Sequence, residues 1–160
     1  MTVHLWRIAT ETMDYRATDA TGAGARFGGG RWNHQGIAVV YSAPSIALAA
    51  LETIVHLRSA TLPLNRYLIS VEVPDEVWAR RMVVDKDTAP RGWDAEPVGL
   101  SSLEFGDRWV KSEASALLVV PSVVIPLEHN VLINPAHSDA SGLVFSNTGK
   151  FVFDERIRAA

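Results

Sequence analysis

The hydrophobic pattern of the chain consists of short apolar segments that are typical of strands, with one clear helix among them. Residues 3–9 and 67–73 are apolar runs that predict two strands. Residues 46–57 are dense in apolar residues that tolerate helix, and they predict the main helix. Ser42 is its expected N-cap and Pro44 falls in its first turn, where a missing N–H costs no hydrogen bond.

Further apolar segments predict the rest of the sheet. Residues 37–41 are rich in β-branched side chains, and residues 116–125 predict a buried strand or strand pair interrupted at Pro121. Two more strands are expected at 130–134 and 143–153. Because these strands do not alternate regularly with helices, the pattern favours an α+β or mixed α/β fold over a doubly wound parallel sheet.

Two stretches lack a regular pattern. Residues 17–30 are polar and rich in glycine, and they end in three consecutive glycines that suit a bend or a close approach to a ligand. Residues 85–103 are interrupted by prolines and glycines, and a short helix that carries Trp109 is expected over 102–111.

Composition and charge exclude several classes of function. A length of 160 residues fits one domain spanning 1–160, and the absence of cysteine excludes disulfides, thiolate-bound metals and cysteine nucleophiles. Fifteen Lys and Arg against 18 Asp and Glu give a net charge of −3, which supplies no basic face for direct nucleic-acid binding. No signal peptide or membrane-spanning segment is indicated, so a cytoplasmic protein is expected.

Glu52 is the most unusual polar residue, since it is the only acidic side chain between Asp19 and Glu72. Its neighbours one helical turn away are mostly apolar, so it lies either at the solvent edge of the helix or buried beside a cation. Arg31 is the natural cationic partner.

The glycines before Arg31 leave two interpretations open. Backbone N–H groups of residues 28–30 and the guanidinium could together surround an anion, or the glycines form a flexible hairpin tip. Tyr41, at the end of its predicted strand, suits either a site or simple packing. Dinucleotide-binding, P-loop, zinc-protease and serine-hydrolase spacings are all absent, and no metal site is predicted.

Several sequence blocks in order resemble the RES domain, the toxin of RES–Xre toxin–antitoxin pairs. The blocks are WRI at 6–8, GGRWN at 29–33, VVY at 39–41, ALAALETIVH at 47–56, VPSVVIP at 120–126, Glu128, Asn130, and LINPAH at 132–137. The resemblance covers nearly the whole chain. It implies an ADP-ribosyltransferase-like fold, with a split and mostly antiparallel β core flanked by helices, that uses NAD as a co-substrate.

The resemblance also implies roles for individual residues. Arg31, beside Gly30, would hold the pyrophosphate of NAD or the adjoining ribose, and Tyr41 would stack on the nicotinamide. Glu52 would bind the nicotinamide ribose and stabilise the positive charge that develops as the nicotinamide bond breaks. Ser122 would contact the ligand or buttress Glu52, and it is not expected to be a nucleophile because no base is adjacent.

Arg7 leaves three alternatives open: it lines the same pocket, forms an ion pair with Glu128, or is exposed. The family's acceptors of ADP-ribose range from water or phosphate to a protein such as phosphoribosyl pyrophosphate synthetase. The expected partner is an Xre-type helix-turn-helix antitoxin that covers the active site, with a dimer in the complex. The alternative function is a non-catalytic module that binds a phosphorylated metabolite.

Overall fold

A computed structural model of the chain describes residues 2–57 and 62–158. In chain order its elements are β1 (Thr2–Thr10), α1 (Ala23–Gly28), β2 (Val40–Ser42), α2 (Ile46–His56), β3 (Arg66–Pro74), α3 (Asp75–Ala79), β4 (Met82–Val83), α4 (Leu100–Ser112), β5 (Leu117–Pro121), β6 (His129–Ile133) and β7 (Val144–Lys150). Short 3-10 turns follow at Ser138–Gly142 and Glu155–Arg158. Within these ranges, no helix is long and apolar enough to cross a membrane.

The strands form two sheets, which an isolated β-bridge connects. One sheet has the order β1-β3-β7 and the other the order β2-β6-β5-β4. All neighbouring strands are antiparallel except β4 and β5. A bridge between Trp6 and Ala43, with both N···O distances 2.8 Å, connects the first sheet to the second. This arrangement confirms the α+β class with a split, mostly antiparallel β core.

The main core lies where apolar faces of the two sheets pack together. One buried cluster contains Leu5 of β1, Val71 and Val73 of β3, Leu117 of β5 and Ile133 of β6. The opposite face of the second sheet is also covered, by tryptophans from α4 and two loops: Trp32, Trp93 and Trp109. Because β5 is covered on both faces, its sequence is apolar throughout rather than alternating.

Helix α2 begins at Ile46, where the apolar pattern predicts it, but its N-cap is not the predicted one. Ser45 is the N-cap, and its hydroxyl accepts a hydrogen bond from the Leu48 N–H at 3.1 Å. The predicted cap at Ser42 was wrong because β2 extends through this residue, whose hydroxyl donates to the Val131 carbonyl at 2.8 Å. Pro44 therefore precedes the helix instead of lying in its first turn.

The remaining element predictions differ mainly at their boundaries. The strand expected at 37–41 forms only at 40–42, and the strand expected at 116–125 ends at Pro121. The stretch 17–30 contains the short helix α1, which ends at Gly28, just before Gly29 adopts a positive φ of 73°. Helix α3 and the two-residue strand β4 were not predicted.

Candidate active site

A cleft of about 900 Å³ lies between α2, β1, β6 and the loop that follows α1. Five of the six residues proposed from the sequence line it: Arg7, Gly30, Arg31, Tyr41 and Glu52. The sixth, Ser122, lies behind Glu52 and is completely buried. The structure therefore brings together residues that are far apart in the sequence.

Glu52 projects from α2 into the cleft, with 19% of its side chain exposed. Its Oε1 atom accepts two hydrogen bonds of 2.6 Å, one from the Ser122 hydroxyl and one from the Asn130 amide. Its Oε2 atom accepts no hydrogen bond from the described residues, and His56 Nδ1 lies 3.8 Å from it. The carboxylate is thus oriented through one oxygen, and the other remains available to a ligand.

Ser122 follows β5 in a tight turn that fixes the direction of its hydroxyl. The Oγ atom accepts hydrogen bonds from the N–H groups of Val124 and Ile125, at 3.1 and 3.0 Å. With both lone pairs engaged, the O–H points to Glu52. Of the two roles that the sequence left open, this geometry favours buttressing Glu52, and the complete burial of Ser122 argues against a nucleophile.

Asn130 is a residue of this site to which sequence reasoning assigned no role. It lies on β6 opposite Val120 of β5, lines the cleft, and donates to the same Glu52 oxygen as Ser122. The sequence contained one signal for Asn130, since it is among the residues on which the RES resemblance rests. The contact itself depends on the pairing of β5 with β6, which a single sequence does not display.

Tyr41 is held in the cleft through its hydroxyl. The oxygen accepts from the Trp32 N–H at 3.0 Å and donates to Asn33 Oδ1 at 2.6 Å. Asn33 is completely buried, and its amide donates to the carbonyls of Ala25 and Ile37, both at 2.9 Å. Burial raises the pKa of Tyr41 well above its ordinary value, so the hydroxyl stays protonated and keeps this role.

The glycine run before Arg31 does not form an anion nest. The Gly29 N–H donates to the Ala25 carbonyl at 2.7 Å, and the Gly30 N–H donates to the Asn33 carbonyl at 3.0 Å. These N–H groups are therefore already used. The role of Gly30 is steric, because a Cβ at this position would lie 2.5 Å from the Tyr41 hydroxyl and 2.9 Å from Asn33 Oδ1.

Substitution Gly30→Ala is expected to displace Tyr41 and to lower ligand affinity at the cleft. The methyl group meets a hydroxyl that two hydrogen bonds hold in place, and overpacking of this kind costs about 1–3 kcal/mol of stability. Thermal unfolding measures the first effect, and calorimetry with NAD, the co-substrate that the RES resemblance implies, measures the second. Gly142→Ala is the control, since a Cβ there meets only Pro74 Cγ at 3.9 Å, an ordinary contact, and Gly142 does not line the cleft. Equal NAD affinity for both variants would contradict the steric role.

Arg31 is buried, and its terminal nitrogens contact the loop that precedes α4. Nη1 donates to the carbonyls of Trp93 and Ala95, both at 3.0 Å, and Nη2 forms an ion pair with Glu96. Burial lowers the pKa of Arg31, and the nearby negative charge of Glu52 opposes that shift. Glu96, with 69% of its side chain exposed, gave no signal in the sequence because it lies in the irregular stretch 85–103.

Arg7 lies on β1 and lines the cleft, which agrees with one of its three expected positions. It forms no ion pair with Glu128 within the described ranges, and its side chain is half-buried rather than exposed. Its Nε atom is buried and has no hydrogen-bond partner there. Burial lowers the pKa of Arg7, and the charges of Asp19 and Tyr15 oppose the shift.

Two histidines also line the cleft. The Nδ1 atom of His56 lies 2.6 Å from the Glu52 backbone carbonyl, and Nδ1 of His34 lies 2.6 Å from the Asp107 carboxylate. In the part of the chain that the structure describes, no group of three or more His, Asp or Glu side chains could hold a metal ion.

A protein-family model described as the RES domain matches residues 4–154. The chain belongs to the RES domain family. This confirms the family membership expected from the sequence blocks. The RES chain is 54% identical over 157 residues to the "Prs ADP-ribosylating toxin" of Sphingobium sp. (strain YBL2), with 98% of each chain covered. It is 36% identical over 145 residues to "Toxin Res" of Yersinia enterocolitica, covering 90% of this chain and 93% of the relative.

The fold of the RES chain also resembles a solved structure. A chain of the crystal structure of the M. tuberculosis MbcT–MbcA toxin–antitoxin complex matches with a TM-score of 0.60. The match covers 93% of this chain and 85% of that chain at 16% sequence identity. At this identity the likeness shows a shared fold.

Proposed function

We propose that this RES protein is the toxin of a toxin–antitoxin pair and that it breaks the nicotinamide–ribose bond of NAD to transfer ADP-ribose. The observation that carries the proposal is the Glu52 carboxylate, oriented by Ser122 and Asn130 through Oε1 while Oε2 is open to the cleft. The name of the relative that is 54% identical, an ADP-ribosylating toxin, supports the same chemistry.

The cleft suits a dinucleotide in size and in lining. Its volume of about 900 Å³ lies within the usual range for ligand pockets, roughly 300–1,000 Å³. Its lining combines apolar side chains with a few convergent polar groups, which is the pattern expected of a specific small-molecule site. The Tyr41 ring offers a flat apolar surface for the nicotinamide, and its hydroxyl contacts keep that ring in place.

Glu52 has two tasks in the proposed reaction. Its free Oε2 accepts a hydrogen bond from a hydroxyl of the nicotinamide ribose, and its negative charge stabilises the positive charge that develops on that ribose. No general acid is needed, because the nicotinamide leaves as a neutral molecule. The same carboxylate can orient the incoming acceptor by a hydrogen bond.

Arg31 supplies the cation beside Glu52. Both residues line the cleft, and the negative charge of Glu52 acts on Arg31, so Arg31 would hold the pyrophosphate of the dinucleotide or the adjoining ribose. The exposed Glu96 carboxylate is paired with Nη2 of Arg31. A ligand that binds this guanidinium has either to bind beside Glu96 or to displace Glu96 from Nη2.

The acceptor and the partners are further parts of the proposal. The name of the Sphingobium relative indicates that the relative modifies Prs, and we extend to this chain a protein acceptor of that kind, phosphoribosyl pyrophosphate synthetase. Water or phosphate are the competing acceptors. The proposed partner is an Xre-type antitoxin that covers the cleft. We further propose that their complex contains a dimer and that the protein acts in the cytoplasm.

Incubation of the purified protein with NAD labelled in its adenylate part, in the presence of cell extract, tests the function. Release of nicotinamide together with labelled protein supports transfer to a protein. Nicotinamide release with labelled ADP-ribose or its phosphate ester in solution supports water or phosphate as acceptor. No nicotinamide release, from a preparation that is folded by circular dichroism, would refute the enzyme and favour a non-catalytic binding module.

A further inference from the structure

A histidine of the cleft lining is paired with a carboxylate of α4. His34 lines the cleft, and its Nδ1 atom lies 2.6 Å from Oδ2 of Asp107. The other oxygen of the same carboxylate, Oδ1, accepts the backbone N–H of His34 at 3.0 Å. Only 13% of the Asp107 side chain is exposed, against 43% of the His34 side chain. The pair therefore combines a shielded carboxylate with an imidazole that solvent reaches.

The contact with Asp107 determines which nitrogen of His34 carries the proton. An ionised carboxylate only accepts hydrogen bonds, so Nδ1 has to be the donor. The neutral imidazole then has no proton on Nε2, whose lone pair can accept one. Nε2 makes no hydrogen bond within the described residues. This is the arrangement of a general base that a carboxylate orients.

The pair lies at the end of the cleft where the nicotinamide is proposed to bind. Asn33, the neighbour of His34 in the chain, accepts the hydrogen bond of the Tyr41 hydroxyl at 2.6 Å. Burial raises the pKa of Tyr41, and the negative charge of Asp107 adds to that shift. Because the reacting carbon of the ribose is bonded to the nicotinamide, His34 belongs to the reacting end of the cleft.

The other polar groups of the site are less suited to take a proton from a neutral acceptor. Oε1 of Glu52 already accepts two hydrogen bonds, and Oε2 is assigned to a ribose hydroxyl in the proposed function. Arg31 is a donor only. His56 has its Nδ1 atom 2.6 Å from the Glu52 backbone carbonyl, and Glu52 Oε2 is beyond hydrogen-bond distance from it at 3.8 Å. A neutral carbonyl stabilises an imidazolium less than the carboxylate beside His34 does.

We propose that His34 is the general base for a neutral acceptor, water or a protein hydroxyl, and that Asp107 is its positioning residue. This inference rests on the proposed function. The acceptor oxygen bonds to C1′ of the nicotinamide ribose and gives its proton to Nε2 of His34. The bond from C1′ to the nicotinamide nitrogen breaks, and its electron pair stays on the neutral nicotinamide. Asp107 stabilises the imidazolium, which then returns its proton to water.

Variant His34→Asn removes the base and keeps the link to α4. Its amide nitrogen takes the place of Nδ1 and can donate to Asp107, but nothing replaces Nε2. With NAD in dialysed, Tris-buffered cell extract, kcat for nicotinamide release is expected to fall about a hundredfold with little change in KM. His4→Asn, at an exposed histidine of β1 that does not line the cleft, should keep the wild-type rate. Added imidazole should restore part of the activity of His34→Ala, which a purely structural role would not allow.

Variant Asp107→Asn tests the orientation, because it is expected to invert the tautomer of His34. The backbone N–H of His34 can only donate, so the amide oxygen stays at the Oδ1 position and the amide nitrogen faces Nδ1 of the ring. The ring then carries its proton on Nε2 and no longer accepts one there. NMR of the ¹⁵N-labelled imidazole reports the exchange, and turnover should fall as in His34→Asn.

The outcomes separate this base from its alternatives. Wild-type kcat in a folded His34→Asn refutes it. A loss of activity that comes with a lowered unfolding temperature and without imidazole rescue of His34→Ala assigns a structural role to the pair and also refutes it. Imidazole rescue of His56→Ala but not of His34→Ala assigns the base to His56. If the wild type releases no nicotinamide, the proposed function fails and this base with it, whereas a failure of His34 alone leaves wild-type turnover in place.

Discussion

Variant Glu52→Gln is expected to reduce NAD cleavage by at least about a hundredfold while leaving the fold and the shape of the cleft intact. Glutamine has the same size, and its carbonyl oxygen can accept the two hydrogen bonds that Ser122 and Asn130 donate to Oε1. Its amide nitrogen would replace Oε2, which removes both the acceptor and the negative charge from the side that faces the cleft. Nicotinamide release under saturating NAD measures the effect on kcat.

The control for this variant is Glu104→Gln, the same chemical change at an exposed position of α4 that does not line the cleft. It should cleave NAD at the wild-type rate. Equal loss in both variants would indicate a general effect of charge or handling. Full activity of Glu52→Gln, with unchanged unfolding temperature, would refute the catalytic role of this carboxylate.

The pattern of apolar and polar residues predicts the secondary structure correctly where an element is one continuous apolar run with clear ends. Strands β1 and β3 were predicted within a residue or so of each end, because their apolar runs are bounded by polar residues or proline. The boundary between β2 and α2 was less accessible, since both Ser42 and Ser45 are chemically able to cap a helix. Ser42 pairs with Val131 of β6, so it belongs to β2 and does not cap the helix. This contact joins residues that are far apart in the sequence.

The candidate site was also predictable from the sequence only in part. Glu52 and Arg31 were proposed because each is a charge in an apolar or glycine-rich segment, and Tyr41 was proposed because it ends a predicted strand. The contact of Glu52 with Ser122 joins residues 70 positions apart, and that with Asn130 joins residues 78 apart. Such contacts arise because α2, which packs against β1, brings Glu52 to the residue after β5 and to the start of β6. Likewise, the engagement of Arg31 by the irregular loop before α4 has no local pattern that predicts it.

Close packing of α4 against the loop that carries Arg31 makes one glycine essential. A Cβ at Gly106 would lie 1.6 Å from the Trp32 carbonyl oxygen and 2.6 Å from its carbonyl carbon. Both neighbours are backbone atoms, which cannot rotate away as a side chain would. Only glycine therefore allows α4 to approach the residue between Arg31 and Asn33.

Variant Gly106→Ala is expected to destabilise the protein by about 3 kcal/mol or more, the upper part of the range for overpacked cores. For a chain of this size that loss lowers the unfolding midpoint by about 6–12 °C in a thermal melt. The protein that remains folded should also bind NAD less well, because a displaced Trp32 carries Arg31 and the Trp32 N–H that supports Tyr41 with it. Gly24→Ala, where nothing lies within 4 Å of a Cβ, is the matched control and should keep its midpoint. If both variants melt at the same temperature, α4 does not hold this loop in the way the 1.6 Å approach requires.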